Sequence, residues 1–305
     1  MSSNGKFEPA RYWRTVGSSY AEEDPLGAIC FDGAPSWFNQ FLSHSHMACF
    51  ERGWQAAELS GNGTTVVDLG CGVGRWSRWL RNKGASVVGV DISRDMLRAA
   101  APAKSRRVQG SVSQVPLRDE MFDLAVSVTV LQHIPYDDQV RAVAEISRLL
   151  RTGGTAFLIE NLRAFAPGAH LYPRTIESWT TLLEGEGLKV RVVQGQAYYP
   201  LIRLGYKVAG MISSRRNKTS PADKMKEGED SERSTFTASW LGRAPAPAML
   251  LARLGILASY PLEHAAMRLL GPRYATNVLL VAEKQPSPSS LMAHRVKRQL
   301  AETGS

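Results

Sequence analysis

The sequence predicts an α/β fold, with a mostly parallel sheet that carries helices on both faces. Three observations predict it. Short β-branched runs alternate with helical patterns from residue 64 to about 196, as crossover units on a parallel sheet require. The first run, TTVVDL, enters a glycine turn and then a helix. A last apolar run, ATNVLLVAE at 275–283, closes the pattern after a long helix-prone excursion.

The elements follow in order. Residues 1–60 are rich in aromatics, among them Tyr12, Trp13, Trp37, Phe38, Phe50 and Trp54. They read as a helical cap ahead of the sheet. Strand one spans 64–69, and the helix after it sets Trp76, Trp79 and Leu80 on one side. Strand two is SVVGVD, 86–91. The next helix opens at Ser93, a hydroxyl suited to an N-cap, and buries Met96 and Leu97. Strands three, four and five are expected at 106–110, 122–128 and 155–160, the last after a Gly153-Gly154 turn. Between four and five, DDQVRAVAEISRLL (137–150) has an acidic first turn and a basic last one, as the helix dipole favours. A helix near 175–186 and a strand near 188–196 complete the core at 61–199. Residues 200–272 form a helical insertion, 273–285 the last strand, and 286–305 a basic tail. Within the insertion, PAPAMLLARLGILASYPL (245–262) is cut by Arg253, Gly255 and a proline at each end and is expected to be a helical hairpin rather than an anchor.

Composition excludes several classes. At 44% hydrophobic and 21% charged residues the chain is neither disordered nor fibrous. Three scattered cysteines give neither a disulfide framework nor a zinc site, which fits a reducing cytoplasm. The N-terminal stretch lacks a signal peptide's apolar core, and no window reaches about 18 uninterrupted apolar residues, so a soluble protein is expected. The net charge of +9 is uneven: residues 1–199 hold 21 Lys and Arg against 20 acids, and 200–305 hold 16 against 8. The excess lies in SSRRNKTSPADKMKEGEDSER (213–233) and HRVKRQL (294–300), which read as solvated sequence. A polyanion or weak membrane-surface footprint is the other reading of that charge.

The glycine turn narrows the ligand. Gly70, Gly72 and Gly74 give G-x-G-x-G with Arg75 following, whereas a dinucleotide fingerprint places its third glycine three residues after the second. A turn without side chains opens backbone amides and a helix N-terminus to a small polar group. Asp68, just before the turn, repels phosphates and suits an ammonium. Asp91, ending strand two, suits the paired hydroxyls of a ribose. A ligand with both an amino acid and a ribose is indicated.

Four stretches carry a resemblance: VVDLGCGVGRWS, VVGVDIS with Met96 following, VPLRDEMFDLAVS and LLRTGGTAFLIE. In this order and spacing they resemble class I S-adenosylmethionine-dependent methyltransferases of the small-molecule type, over roughly 64 to 165. The resemblance implies a Rossmann-like seven-stranded sheet and S-adenosylmethionine as cofactor. It implies that Asp68, Gly70 and Gly72 hold the methionine part, that Asp91 binds the ribose, and that Ile92 and Met96 flank the adenine. Cys71, Gly74 and Thr129 are counted with the same site. Where family members often carry an aspartate after strand three, this chain has Ser111 and Val112, so a hydroxyl and a backbone amide are left to meet the adenine. Cys71 is read as a small filler rather than a reactive thiol, and Trp76 and Trp79 as helix core.

A sulfonium is already an activated methyl donor, so placement supplies most of the catalysis and a general base is optional. His133, just beyond strand four, is the first candidate for a base, and Glu160 at the end of strand five the second. His44 and His46 lie two apart without a carboxylate cluster, and no metal is expected. Tyr12, Trp13, Trp37 and Phe38, with Tyr198, Tyr199 and Tyr206, are candidate walls for the acceptor. The expected reaction is O-methylation of a small organic acceptor: a secondary metabolite, a sugar, or a lipid-linked or quinone hydroxyl. A tRNA-modifying methyltransferase, a non-catalytic cofactor-binding protein and a nicotinamide dehydrogenase are the alternatives; nucleic acid is disfavoured because the basic residues are interrupted by acids. The oligomeric state stays open.

Overall fold

The computed structural model describes residues 8–20, 26, 30, 35–100, 106–162, 171–196, 198 and 246–286. The segment 213–233, the tail at 294–300, and Tyr199 and Tyr206 lie outside the described residues.

In chain order the elements are α1 (Pro9–Tyr20), α2 (Ser36–Ala56), β1 (Thr65–Leu69), α3 (Arg75–Asn82), β2 (Ser86–Asp91), α4 (Arg94–Ala99), β3 (Arg106–Gln109), β4 (Phe122–Val128), α5 (Tyr136–Leu149), β5 (Leu150–Asn161), α6 (Ile176–Gly185), β6 (Leu188–Gln196), α7 (Ala246–Leu269) and β7 (Asn277–Lys284). The sheet has seven strands in the order β3-β2-β1-β4-β5-β7-β6. β1 pairs in parallel with β2 and β4, whereas β7 runs antiparallel to both β5 and β6.

Strand periodicity divides the core into two faces. Val67, Leu69, Leu158 and Leu280 face one way, into a layer with Leu131, Ile146, Leu149, Trp179 and Leu183 from α5, α6 and their approaches. Val66, Val126, Phe157 and Leu279 face the other, onto Phe50 and Trp54 of α2 and Trp76 and Leu80 of α3. Both strand faces are apolar because both are covered. Burying each such Leu or Phe stabilises the fold by about 1.5–3 kcal/mol.

Three expectations change. α2 is a structural layer of the sheet and not only a cap: Phe50 stacks on Trp76 at 4.4 Å and meets Phe157 at 4.8 Å. Gly153-Gly154 does not precede β5 but forms a bulge within it, since Leu150 already pairs with Phe122 and the ladder resumes at Thr155 opposite Leu124. The 245–262 stretch is not a hairpin; α7 runs through it as one 24-residue helix with Pro261 inside. Strand starts and ends elsewhere fall within a residue or two of expectation.

The contact between α2 and the sheet depends on Gly53. A Cβ there would lie 2.4 Å from Leu279 Cδ2 and 3.1 Å from Phe157 Cζ, both in fully buried side chains. Gly53→Ala therefore exchanges the helix-propensity gain of alanine for overpacking that costs about 1–3 kcal/mol. Urea unfolding is expected to show net destabilisation; a variant more stable than the parent would show that the helix seats less tightly than described.

Candidate functional site

The turn after β1 holds Gly70, Gly72 and Gly74 at φ of 68°, 51° and 76°, the left-handed region that glycine adopts without strain. Gly70 is also packed closely: a Cβ would lie 2.3 Å from Val130 Cγ2. Four of the turn's amides are engaged within the protein, where the sequence expectation left them open. Gly70 and Cys71 N–H donate to Val90 O, Gly74 N–H to Cys71 O, and Gly72 N–H to Asp91 Oδ2 at 2.8 Å. With these donors engaged, the cradle has little to offer a diphosphate. Carbonyls and a carboxylate remain, which accept from an ammonium or from hydroxyls.

Asp91 sits where two uses meet. Its Oδ1 accepts from Ser93 N–H at 2.8 Å, so the same side chain ties the end of β2 to the start of α4 and to the glycine turn. Each oxygen keeps a second lone-pair direction, and Asp91 lines the large cavity described below. Burial raises its carboxyl above the ordinary range, opposed by the Ser93 and Gly72 amides.

Asp68 is placed differently from expectation. It is buried, accepts from Ser77 Oγ at 2.5 Å and does not line the cavity. It fastens α3 to the end of β1 instead of facing a ligand. Burial pushes its carboxyl up to about 6 against the pull of Ser77. Burial also raises the Cys71 thiol far from reactivity, with Asp68 and Asp91 adding to it; the filler reading fits this environment.

The cavity is about 250 Å³ and opens at the carboxyl edge of the sheet. Gly70, Cys71, Gly72 and Asp91 line it together with Ile92, Met96, Ser111, Val112, Val128 and Thr129. Gly74 does not border it. Among the four aromatics proposed as acceptor walls, only Trp13 lines it. Tyr12 packs edge-on against Trp13 at 5.1 Å, within a cluster of Val16, Val73 and Met96. Phe38 is buried against Trp37 and Phe41. Sequence reasoning missed Pro9, Ala10, Arg75, Ser113, Val130, Ile134 and Asp138 in the lining, and Trp76, read as helix core, lines the cavity as well as packing in the core; Arg75, straight after the glycines, carried a positional signal.

Neither candidate base lines the cavity. Glu160 is fully buried, and its oxygens accept from the amides of Val130, Leu131 and Gln132 and from Ser127 Oγ. Those donors occupy a carboxylate's capacity and make Glu160 the anchor of the loop after β4. Burial, opposed by these donors, pushes it up to about 7. His133, on that loop, stands edge-on to Trp13 at 5.0 Å, with Nε2 3.2 Å from Gln132 Nε2.

An adenosyl amino acid fits these residues: acceptors at the cradle for an ammonium, Asp91 for a diol, and flat apolar walls for a ring. Residues 67–158 match the family model described as a methyltransferase domain. Over these residues the chain carries a methyltransferase domain. The methyltransferase domain is similar to malonyl-[acyl-carrier protein] O-methyltransferase of Pectobacterium atrosepticum, 36% identical over 95 residues, 30% of this chain and 37% of that protein. It is similar also to methyltransferase GfsG of Streptomyces halstedii, 37% identical over 101 residues, 30% of this chain and 36% of that one. The chain thus spans little more than a third of either relative. Two solved structures share the fold: the [4+2]-cyclase SpnF (TM-score 0.53, 15% identity, 90% of this chain and 97% of that one), and magnesium protoporphyrin IX methyltransferase of Synechocystis PCC 6803 with bound S-adenosylmethionine (TM-score 0.50, 21% identity, 64% and 93%). Among the described residues, no helix is long and apolar enough to cross a membrane.

The Glu160 environment sets a pH signature. A carboxyl held above its unfolded value contributes stability that is present below that value and lost as pH rises through the folded one, here between about 4.5 and about 7. Glu160→Gln lacks this titration. Urea unfolding of both proteins across that window is expected to show the wild type losing stability relative to the variant; a pH-independent difference would contradict the assignment.

Proposed function

We propose that the chain transfers a methyl group from S-adenosylmethionine to a small organic acceptor, with a hydroxyl oxygen as the nucleophile. The observation that carries this reading is the cradle's polarity: four of the turn's amides are engaged internally, and Asp91 presents a carboxylate to the same cavity. Bound there, the cofactor supplies an activated methyl group. In this reading Gly70 and Gly72 take the amino-acid tail and Asp91 the ribose, while Ile92, Met96 and Val112 enclose the adenine beside Ser111. The chain's own contribution is placement and exclusion of water, which is worth about 7–11 kcal/mol for well-oriented reactants. Trp13, Pro9 and Ala10 roof the cavity, and His133 steadies Trp13 instead of taking a proton. The aromatic cap of residues 1–60 and the 200–272 insertion are assigned to acceptor choice.

The names of the relatives support the reaction class, and the malonyl-[acyl-carrier protein] enzyme supports an oxygen acceptor. A second reading has one observation behind it: a solved structure that shares the fold over 90% of the chain is a [4+2]-cyclase, so the same scaffold serves a reaction named for something other than methyl transfer.

Two measurements test the proposal. Calorimetry is expected to show S-adenosylhomocysteine binding, weakened about 10–100-fold by Asp91→Ala through loss of charge-assisted hydrogen bonds, with a smaller effect from Asp68→Asn. Mass spectrometry of a metabolite extract incubated with protein and isotope-labelled methyl donor should reveal a labelled product. Binding without any labelled product would favour the second reading, and preference for NAD would overturn both.

A further inference from the structure

α7 carries apolar residues around its whole circumference, the composition of a helix that lies in a protein core or against lipid. Only one side is covered. Ala266 and Met267 pack with Tyr198 and Ala275; Glu263 is buried and accepts from the Tyr198 N–H; Arg52 Nη2 donates to Met267 Sδ. These contacts seat the C-terminal half of the helix beside the carboxyl edge of the sheet, where β7 enters with Asn277 opposite Asn161, the last residue of β5.

The opposite side has no cover among the described residues. Ten large hydrophobic side chains stand exposed there and elsewhere in the protein, and six of them fall between 250 and 274: Leu250, Leu254, Leu262, Leu269, Leu270 and Tyr274. Leu269 is 82% exposed. Positions 250, 254, 258, 261, 265 and 269 recur every three or four residues, the repeat of one helix face. Each of these positions is apolar and exposed. A contiguous apolar surface of this kind marks an interaction site.

Charge selects the occupant. From 246 to 274 the sequence has three arginines, Arg253, Arg268 and Arg273, and a single acid, Glu263, which is buried and engaged by Tyr198. Arg268 and Arg273 are exposed beside Leu269, Leu270 and Tyr274, and the Arg273 guanidinium lies 5.0 Å from the Tyr274 ring. A second copy docking through the same face brings the same residues, and so no acid for these arginines. The chain's own tail at 294–300 is also basic. An anionic lipid surface meets both needs, with headgroup phosphates for the arginines and the acyl boundary for the leucines. Tyrosine suits the level between them. Among the described residues no helix is long and apolar enough to cross a membrane, so α7 would lie along the surface.

We propose that the exposed face of α7 docks the protein on an anionic lipid surface, with Leu250, Leu254 and Leu269 entering the acyl boundary and Arg268 and Arg273 meeting headgroup phosphates. The inference goes beyond the methyl-transfer reading and does not rest on it.

The test uses the full chain and vesicles of phosphatidylcholine, alone or mixed equally with phosphatidylglycerol, with binding read by flotation. Binding to the mixed vesicles is expected, at least about tenfold stronger than to phosphatidylcholine and weakened by added salt. Arg268→Gln with Arg273→Gln should weaken it about 25-fold, roughly fivefold for each charge. Leu254→Gln with Leu269→Gln leaves the net charge unchanged and should weaken it at least about tenfold through lost apolar burial. Both variants should keep the parent's far-ultraviolet circular dichroism, since the substituted side chains are exposed. Absence of binding to the mixed vesicles, or equal binding to both kinds, would overturn the proposal. Undiminished binding by the leucine variant would do so too, because charge alone, in the tail or elsewhere, would then carry the attraction. Light scattering that shows a dimer which the leucine substitutions split into monomers would give the face to a second copy and overturn it equally. Flotation needs no cofactor, so its outcome is separate from that of the methyl-transfer test.

Discussion

The buried carboxylate of Glu160 sets the geometry of the whole site. A loop that leaves β4 at the carboxyl edge of the sheet exposes amides that no ladder satisfies, and a buried amide without a partner is costly. Glu160 gathers three of them, with the Ser127 hydroxyl, onto one side chain. The loop so fixed carries Val130 against Gly70, Thr129 into the cavity lining, and His133 against Trp13. The glycine turn, the far cavity wall and the aromatic roof thus take their positions from one desolvated acid.

Asp91 repeats the device at the next crossover, holding the Gly72 and Ser93 amides, and Asp68 does so with the Ser77 hydroxyl. Three acids near strand ends organise three loops, and one of them, Asp91, also faces the cavity.

Much of this was legible in the sequence. All seven strands could be placed because β-branched runs bounded by glycine and acidic residues have few other readings, and the resemblance joined them into one sheet. The Asp91 position followed from its place at the end of β2. What could not be read was the direction of side chains brought together from distant elements. Asp68 and Glu160 look alike in sequence, each acidic near a strand end, yet both turn into the protein because Ser77 and the β4 loop supply donors there. Trp13, Trp37 and Phe38 share a composition, but only packing selects Trp13 for the roof. The bulge at 151–154 escaped because a Gly-Gly pair signals a turn whether the strand stops or merely buckles.

The antiparallel placement of β7 has a consequence for redesign. Because Gln196 and Asn277 are cross-strand neighbours, the chain leaves the sheet and re-enters it at the same point. An excursion of that kind can lengthen or be exchanged at small entropic expense, since loop closure grows only logarithmically with length. Segments of different length can therefore join β6 to β7 without altering a single ladder pairing, and this junction is the natural place for a laboratory graft.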